Sequence, residues 1–220
     1  MAAENNILPL KEYYDTQTGH NFCRIIRKII SNNWRKPSKE AIIGYGFALP
    51  YLPILQNEGN KIAAIIPKNL GLDITCLNIA NGITPILAEA DTLPLKNEAI
   101  DKIIVIHALE KINNPDEILA EFWRVLKPYG RMMIFSENKI LFPEHVISKL
   151  RANKFSVSFS RRCVVSPNLP VLEIFSAFCG KYYVTEAQKL VFAPRGRAQK
   201  ITKNILDRLL KPKRKLEPAS

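Results

Sequence analysis

The sequence has few features of a membrane or secreted protein. None of its apolar runs reaches the roughly 18 to 20 residues that a membrane-spanning helix needs. The first residues, MAAENNILPLKEYYD, lack the basic start and the following apolar segment of a secretory signal. With 47% hydrophobic and 24% charged residues among 220, the composition is that of an ordinary globular domain. We therefore expect a cytoplasmic protein built around one main domain.

Cysteine is scarce and scattered. The four cysteines, Cys23, Cys76, Cys163 and Cys179, lie far apart in the sequence and form no Cys-x-x-Cys pair. This spacing argues against a zinc site and against a disulfide framework. We expect buried free thiols and no bound metal.

Acidic residues are outnumbered by basic ones, 20 against 32, which gives a formal net charge of +12. Much of the excess lies in residues 195–215, where nine side chains are Lys or Arg and only Asp207 is acidic. Such a cluster predicts contact with nucleic acid or with an anionic membrane. The alternative is a solvated basic tail, with a helix at 201–210, that has no partner.

Continuous apolar segments predict the strands of a buried sheet. The clearest lie at 41–46, 61–66 and 99–109, and their unbroken apolar character is typical of parallel strands covered on both faces. Further strands are predicted within 83–95 and at 131–135, 156–165 and 182–192.

Amphipathic segments predict the helices. One helix is expected at 20–34, one ending at Leu55 with Pro50 in its first turn, one from Asp116 that stops at Gly130 in a left-handed conformation, and one after Pro143.

The alternation of strand and helix predicts an α/β fold, a mainly parallel sheet with right-handed crossovers. We divide the chain into an N-terminal helical extension at 1–37, an α/β domain at 38–194 and a basic C-terminal tail at 195–220.

Candidate functional residues follow the predicted strands. In a parallel α/β sheet, ligands bind beyond the carboxyl ends of the strands. Four features are expected there: the Gly44-Tyr45-Gly46 turn, Lys68, Asp91 and His107. Glycine at 44 and 46 would allow a close backbone approach and a positive φ.

Three segments, EADTLPL, AIDKIIVIHALEKI and PDEILAEFWRVLKPYGRMMIF, occur in this order over residues 38–137. In order and spacing the chain resembles the class I S-adenosylmethionine-dependent methyltransferases, and most closely the type 11 methyltransferase domain. The resemblance implies a Rossmann-like fold with helices on both faces of the sheet, and S-adenosyl-L-methionine as cofactor.

The resemblance also implies roles for individual residues. Gly44 and Gly46 would line the methionine and ribose part of the cofactor. Tyr45, between them, is also a candidate cofactor-binding residue whose ring could stack on the ligand, with core packing as the alternative. Asp91 would accept a hydrogen bond from the adenine amino group, with Thr92 and Leu93 beside the ring. His107 and Ala108 would flank the sulfonium, whereas Arg124, Lys127 and Gly130 would have structural roles.

Two acidic positions of the family are missing. The family usually carries an acid two residues before the first glycine, where this chain has Ile42, and a second acid at the end of strand two, where it has Pro67-Lys68. Asp73 or Glu58 could replace the second acid. Lys68 would also suit a 2′-phosphate, which leaves an NADP-binding protein as a minor alternative.

Two functions follow as hypotheses. The first is a methyltransferase that transfers a methyl group to an unidentified acceptor, small or macromolecular, by in-line displacement, with His107 as the base if one is needed. For His107 the alternatives are pocket lining and capping of the sheet edge. The second hypothesis is a catalytically degenerate binding protein that engages RNA or an anionic membrane through its basic surface. The sequence gives no indication of the oligomeric state.

Overall fold

The computed structural model describes residues 16–34, 39–70, 82–83, 85–109, 112, 114–137, 143–163 and 182–191. The helices are α1 (Gln17–Asn33), α2 (Pro115–Val125) and α3 (Pro143–Ala152), with 3-10 helices at Leu49–Leu55 and Lys68–Leu70. The strands are β1 (Ala41–Gly46), β2 (Lys61–Pro67), β3 (Pro85–Ala88), β4 (Ile100–Ile106), β5 (Leu126–Glu137), β6 (Phe155–Cys163) and β7 (Tyr182–Lys189). The predicted tail helix at 201–210 and Asp73 lie outside the described residues.

The strands form one seven-stranded sheet in the order β3-β2-β1-β4-β5-β7-β6. Neighbouring strands from β3 to β5 are parallel, and β7 runs antiparallel to both β5 and β6. The prediction of a mainly parallel sheet is confirmed. The compact unit built around this sheet ends at Leu190.

Strand β4 shows why its sequence is apolar without alternation. Ile103 and Val105 point to the face that α2 and α3 cover, whereas Ile104 and Ile106 point to the opposite face, covered by α1 and the first 3-10 helix. All four side chains are fully buried. Since successive side chains of a strand alternate between faces, two covered faces require an unbroken apolar run.

Helix α1 is tied to the sheet. Its N-cap Thr16 accepts a hydrogen bond from the Gly19 N–H at 3.0 Å, and its buried stripe of Phe22, Ile26 and Ile30 packs on β1 and β4. The Trp34 indole N–H donates to the buried Glu186 Oε1 of β7 at 2.8 Å. The helix predicted at 20–34 is confirmed with an earlier start, while the domain boundaries at 37 and 194 stay predictions.

The helix predicted to end at Leu55 with Pro50 in its first turn is present as a 3-10 helix, and Pro53 inside it lacks the N–H donor that an α-helix would use. One local expectation is corrected. The left-handed residue after α2 is Tyr129, with φ 63°, and not Gly130. Gly130 is needed for space instead, since a Cβ there would lie 2.9 Å from Leu126 Cδ2.

Candidate functional site

The carboxyl ends of β1 to β4 bring most of the predicted site residues to one edge of the sheet. Gly46 pairs in register with Ile106, directly before His107 and Ala108. On the other side of β1, Pro67 of β2 pairs with Ala88 of β3, so that Lys68 and the turn containing Asp91 follow next to each other. We call this edge the carboxyl edge.

Gly46 is the residue that brings the β1 loop close to β4. Its φ is 77°, and a Cβ there would lie 2.5 Å from the Ile106 carbonyl oxygen and 2.7 Å from Ala108 Cβ. The next N–H, that of Phe47, donates to the same Ile106 oxygen at 2.9 Å. A side chain at 46 is therefore excluded by conformation and by space.

Gly44 serves the core. A Cβ there would lie 2.7 Å from Ala48 Cβ and 3.0 Å from the Leu52 methyl groups, so its absence lets the 3-10 helix pack directly on β1. This contact lies on the face of the sheet that α1 also covers.

Tyr45 has a fully buried side chain on the opposite face. Its ring packs edge-on against Phe122 of α2, with 5.0 Å between centroids, and its hydroxyl donates to the Ala90 carbonyl oxygen at 2.8 Å. Burial raises the pKa of this hydroxyl, and the charge of Asp91 raises it further. The ring of Tyr45 thus packs in the core, and its hydroxyl reaches the backbone of the turn that carries Asp91.

Asp91 and Thr92 are the exposed residues of a tight turn after β3. An antiparallel bridge between Glu89 and Thr92 closes the turn, and the Thr92 hydroxyl lies 3.3 Å from Asp91 Oδ1. Leu93, the next residue, is buried. The turn therefore presents a carboxylate and a hydroxyl to solvent beside an apolar side chain.

Glu121 and Arg124 of α2 hold the chain that leaves this turn. Glu121 Oε2 accepts from the Leu93 N–H at 2.9 Å, and Arg124 donates to the Leu93 and Leu95 carbonyl oxygens at 3.0 and 2.8 Å. The Arg124 guanidinium, hydrogen-bonded to Glu121, lowers the pKa of that carboxyl and has its own pKa raised in return. Arg124 has the structural role that the resemblance implied.

His107 closes the end of β4. Its φ is 49°, its side chain is nearly buried, and its ring stacks on Phe22 of α1 at 5.4 Å and meets Tyr182 of β7 edge-on at 6.1 Å. Its backbone N–H donates to the Phe135 carbonyl oxygen at 3.5 Å. The imidazole therefore lies in an aromatic, water-poor environment next to the Gly46 loop.

The end of β2 carries an ion pair in place of the missing acid. Lys68 Nζ lies 2.6 Å from Glu89 Oε1, with both side chains exposed. Sequence reasoning did not single out Glu89, although its place directly after β3 is a signal that it belongs to this edge. Glu58 precedes β2 and therefore lies at the amino ends of the parallel strands, opposite the carboxyl edge. It cannot replace the ribose acid. Ile42 is buried in the core.

The described residues contain no group of three or more His, Cys, Asp or Glu side chains that could hold a metal ion. Within the same residues, no helix is long and apolar enough to cross a membrane.

Solved structures define the fold class. The chain resembles an S-adenosylmethionine-dependent methyltransferase from Aquifex aeolicus at 17% identity, with a TM-score of 0.60 over 83% of this chain and 97% of that one. It also resembles the cyclase SpnF at 16% identity, with a TM-score of 0.57 over 77% of this chain and 81% of that one. The fold is the Rossmann-like class I methyltransferase fold, and the cyclase shows that the fold alone does not fix the reaction.

Sequence comparison is more specific. Residues 43–134 match the family model described as a methyltransferase domain. The ubiquinone/menaquinone biosynthesis C-methyltransferase UbiE of Haemophilus ducreyi is 29% identical over 100 residues, which are 44% of this chain and 39% of that protein. The matched part is thus about two fifths of the relative's length.

Proposed function

We propose that the protein is an S-adenosylmethionine-dependent methyltransferase whose cofactor binds along the carboxyl edge. One observation carries the proposal: within the region of the family match, the exposed Asp91 turn follows β3 and the Gly46 loop follows β1, both at the carboxyl edge and separated by β2 alone. The similarity to the C-methyltransferase UbiE and to the S-adenosylmethionine-dependent methyltransferase of Aquifex aeolicus supports the same activity.

The donor and acceptor set at this edge fits the adenosyl half of the cofactor. An adenine amino group and two ribose hydroxyls are hydrogen-bond donors, and Asp91 and Glu89 offer exposed carboxylate acceptors. Lys68 suits a 2′-phosphate less well, because the carboxylate of Glu89 beside it would repel a second anion, whereas Glu89 Oε2 can still accept from a ribose hydroxyl. We assign Asp91 to adenine and Glu89 to the ribose.

When bound, S-adenosylmethionine supplies an activated methyl group on a sulfonium cation. Gly46 and Ala108 hold the β1 loop against the end of β4, where that group would be oriented. The aromatic rings of Phe22 and Tyr182 keep water from His107. His107 would take up a proton at an imidazole nitrogen where the acceptor must lose one.

The first test is calorimetric titration with S-adenosylmethionine and S-adenosylhomocysteine. We expect micromolar binding by the wild type and about 10- to 100-fold weaker binding by Asp91→Ala, because a hydrogen bond to a charged acceptor is lost. Asp91 is exposed, so this variant should fold. Glu58→Ala, which removes an exposed carboxylate from the opposite edge, is the matched control and should bind like the wild type. Folded wild type that binds neither ligand at millimolar concentration would contradict the proposal.

We propose further that the methyl acceptor is a planar, mostly apolar molecule, since aromatic rings surround His107. The test replaces the imidazole by His107→Asn, because asparagine tolerates the positive φ at this position. If His107 is the base, turnover of an accepted substrate should fall about 100-fold or more, with unchanged cofactor binding. Unchanged turnover would leave His107 a lining or capping residue.

The basic tail favours a second candidate function, docking on an anionic membrane. Residues 195–215 combine nine Lys or Arg with isoleucines or leucines at 201, 205, 206, 209 and 210, a spacing that would place apolar side chains on one helical face. Residues 195–220 contain no aromatic side chain on which an RNA base could stack. This pattern favours a lipid surface over RNA as the partner.

Sedimentation with phosphatidylglycerol-containing vesicles tests the docking. We expect the full chain to bind these vesicles and not phosphatidylcholine vesicles, and Ile205→Ser/Leu209→Ser to lose binding although its charge is unchanged. Arg208→Gln, which removes charge but no apolar residue, should bind more weakly and with less salt dependence. Tighter binding to an RNA oligomer than to vesicles, insensitive to the serine substitutions, would make RNA the partner.

A further inference from the structure

The turn that carries Asp91 is held in place by Tyr45, the residue between Gly44 and Gly46 at the end of β1. The Tyr45 hydroxyl donates to the Ala90 carbonyl oxygen at 2.8 Å, across 45 residues of sequence. Ala90 and Asp91 lie between the bridged residues Glu89 and Thr92 and belong to no helix or strand. The bond from Tyr45 therefore anchors the tip of the turn.

The other side of the turn is fixed as well. Leu93 is held at its N–H by Glu121 and at its carbonyl oxygen by Arg124. Between the anchored Ala90 and the anchored Leu93 lie two residues, Asp91 and Thr92, and both are exposed. The protein thus orders the backbone on both sides of these two side chains before any ligand arrives, which lowers the entropic cost of binding.

Tyr45 can perform this task because of where it lies. Its neighbours Gly44 and Gly46 hold β1 against the 3-10 helix and β4, and its ring is locked edge-on against Phe122. Burial and the nearby Asp91 charge raise the pKa of the hydroxyl, so the hydroxyl remains a donor at physiological pH.

We infer that Tyr45 is a positioning residue: its hydroxyl holds the Ala90–Thr92 turn in the conformation that binds the cofactor through Asp91. This inference rests on the proposed function for the identity of the ligand. It assigns Tyr45 an indirect role, through Ala90, in place of the direct cofactor contact that the sequence suggested.

The test is a double-mutant cycle in S-adenosylmethionine binding. Tyr45→Phe keeps the ring and removes only the hydroxyl, and we expect about 3- to 10-fold weaker binding, the equivalent of one hydrogen bond. In an Asp91→Ala background the same substitution should cost nothing further, because the positioned group is gone. Tyr51→Phe is the matched control: Tyr51 is also fully buried, but its hydroxyl lies 3.5 Å from Cys23 Sγ on the other face. This control should bind like the wild type.

Amide hydrogen exchange of the ligand-free chain separates this inference from the proposed function. Tyr45→Phe should accelerate exchange at Asp91 and Thr92 by about 3- to 10-fold, whereas Tyr51→Phe should not. Wild-type affinity in Tyr45→Phe, an equal loss in both backgrounds, or unchanged exchange would overturn the positioning role. If the wild type does not bind S-adenosylmethionine, the proposed function fails, and the exchange rates alone decide whether Tyr45 orders the turn.

Discussion

Two glycines with the same backbone conformation make different demands on space. Gly46 and Gly82 both have φ 77°, but a Cβ at Gly46 would lie 2.5 Å from the Ile106 carbonyl oxygen, whereas a Cβ at Gly82 would have nothing within 4 Å. Gly82→Ala should therefore destabilise the fold by about 1 to 2 kcal/mol, the cost of the left-handed conformation alone. Gly46→Ala should cost about 1 to 3 kcal/mol more, because the end of β4 must move.

Urea denaturation of the two alanine variants measures the difference between these glycines. Equal losses of unfolding free energy would show that the β1 loop does not depend on its approach to Ile106. A larger loss of unfolding free energy for Gly46→Ala would mean that the close packing of Gly46 on Ile106 at the carboxyl edge also stabilises the fold.

Glu121 should make stability depend on pH. Its pKa in the folded chain is below the ordinary value of 4.5, mainly through its hydrogen bonds with Arg124. The charged carboxylate thus stabilises the fold above that pH, and this stabilisation is lost as the pH falls through the lowered pKa. We expect Glu121→Gln to show a shallower loss of stability than the wild type between about pH 5 and pH 3.

Glu121→Gln also loses hydrogen bonds at every pH, and this constant loss of unfolding free energy is measured by denaturation at pH 7. Only the further change of the difference between variant and wild type below pH 7 reports the titration of Glu121. Parallel curves for the variant and the wild type down to about pH 3 would show that Glu121 is not coupled to folding in acid.

At the residue scale, the sequence predicted which candidate residues lie at the carboxyl edge but not their contacts. Gly46, Asp91 and His107 do lie at the carboxyl ends of parallel strands of one sheet, because strand ends can be recognised from apolar runs. The bond from Tyr45 to Ala90 and the pairing of Lys68 with Glu89 join residues far apart in sequence. Such contacts depend on the register of the folded sheet, so no local sequence pattern predicts them.

Among the elements, α1 contributes to the core as fully as the strands do. Ile30 has no exposed surface and packs among the residues of β1 and β4. Ile30→Ala should cost about 2 to 5 kcal/mol of unfolding free energy. Ile54, on the first 3-10 helix, is 36% exposed, and Ile54→Ala should cost clearly less.

Thermal or urea unfolding compares the two isoleucine variants. A small loss at Ile30 would mean that α1 can leave the sheet without unfolding it, and that the predicted boundary at residue 37 separates independent parts.

Element prediction succeeded where one physical cause dominated. Strands β1, β2 and β4 are apolar because both faces are covered, and α1 has a regular buried stripe. The start of β5 was missed because Lys127-Pro128-Tyr129-Gly130 resembles a helix stop. In the fold, Lys127 donates to Asp101 at 2.7 Å and the chain enters the sheet directly after α2. A tertiary contact outweighed the local signal.

Across the whole molecule, the protection of backbone amides against hydrogen exchange should depend on the position of each strand in the sheet. Strands β1 and β4 have neighbours on both sides and cores on both faces, whereas β3 is an edge strand on which Ile86 and Leu87 are 42% and 46% exposed. We expect the amides of β1 and β4 to exchange only on global unfolding, and those of β3 by local opening at a higher rate. Exchange at β3 as slow as at β4 would show that something covers this edge.

The position of β7 determines the order in which the sheet can be completed. In the described sheet β6 pairs with β7 and with no other strand, yet β6 leaves the ribosome first. Until Lys189 has been synthesised, β5 has one open side and β6 has no partner at all. A chain that stalls or is cleaved before Tyr182 would thus carry unpaired strand edges ready to join another molecule. Pairing of β7, the last strand among the described residues, therefore covers edges through which the nascent chain could self-associate.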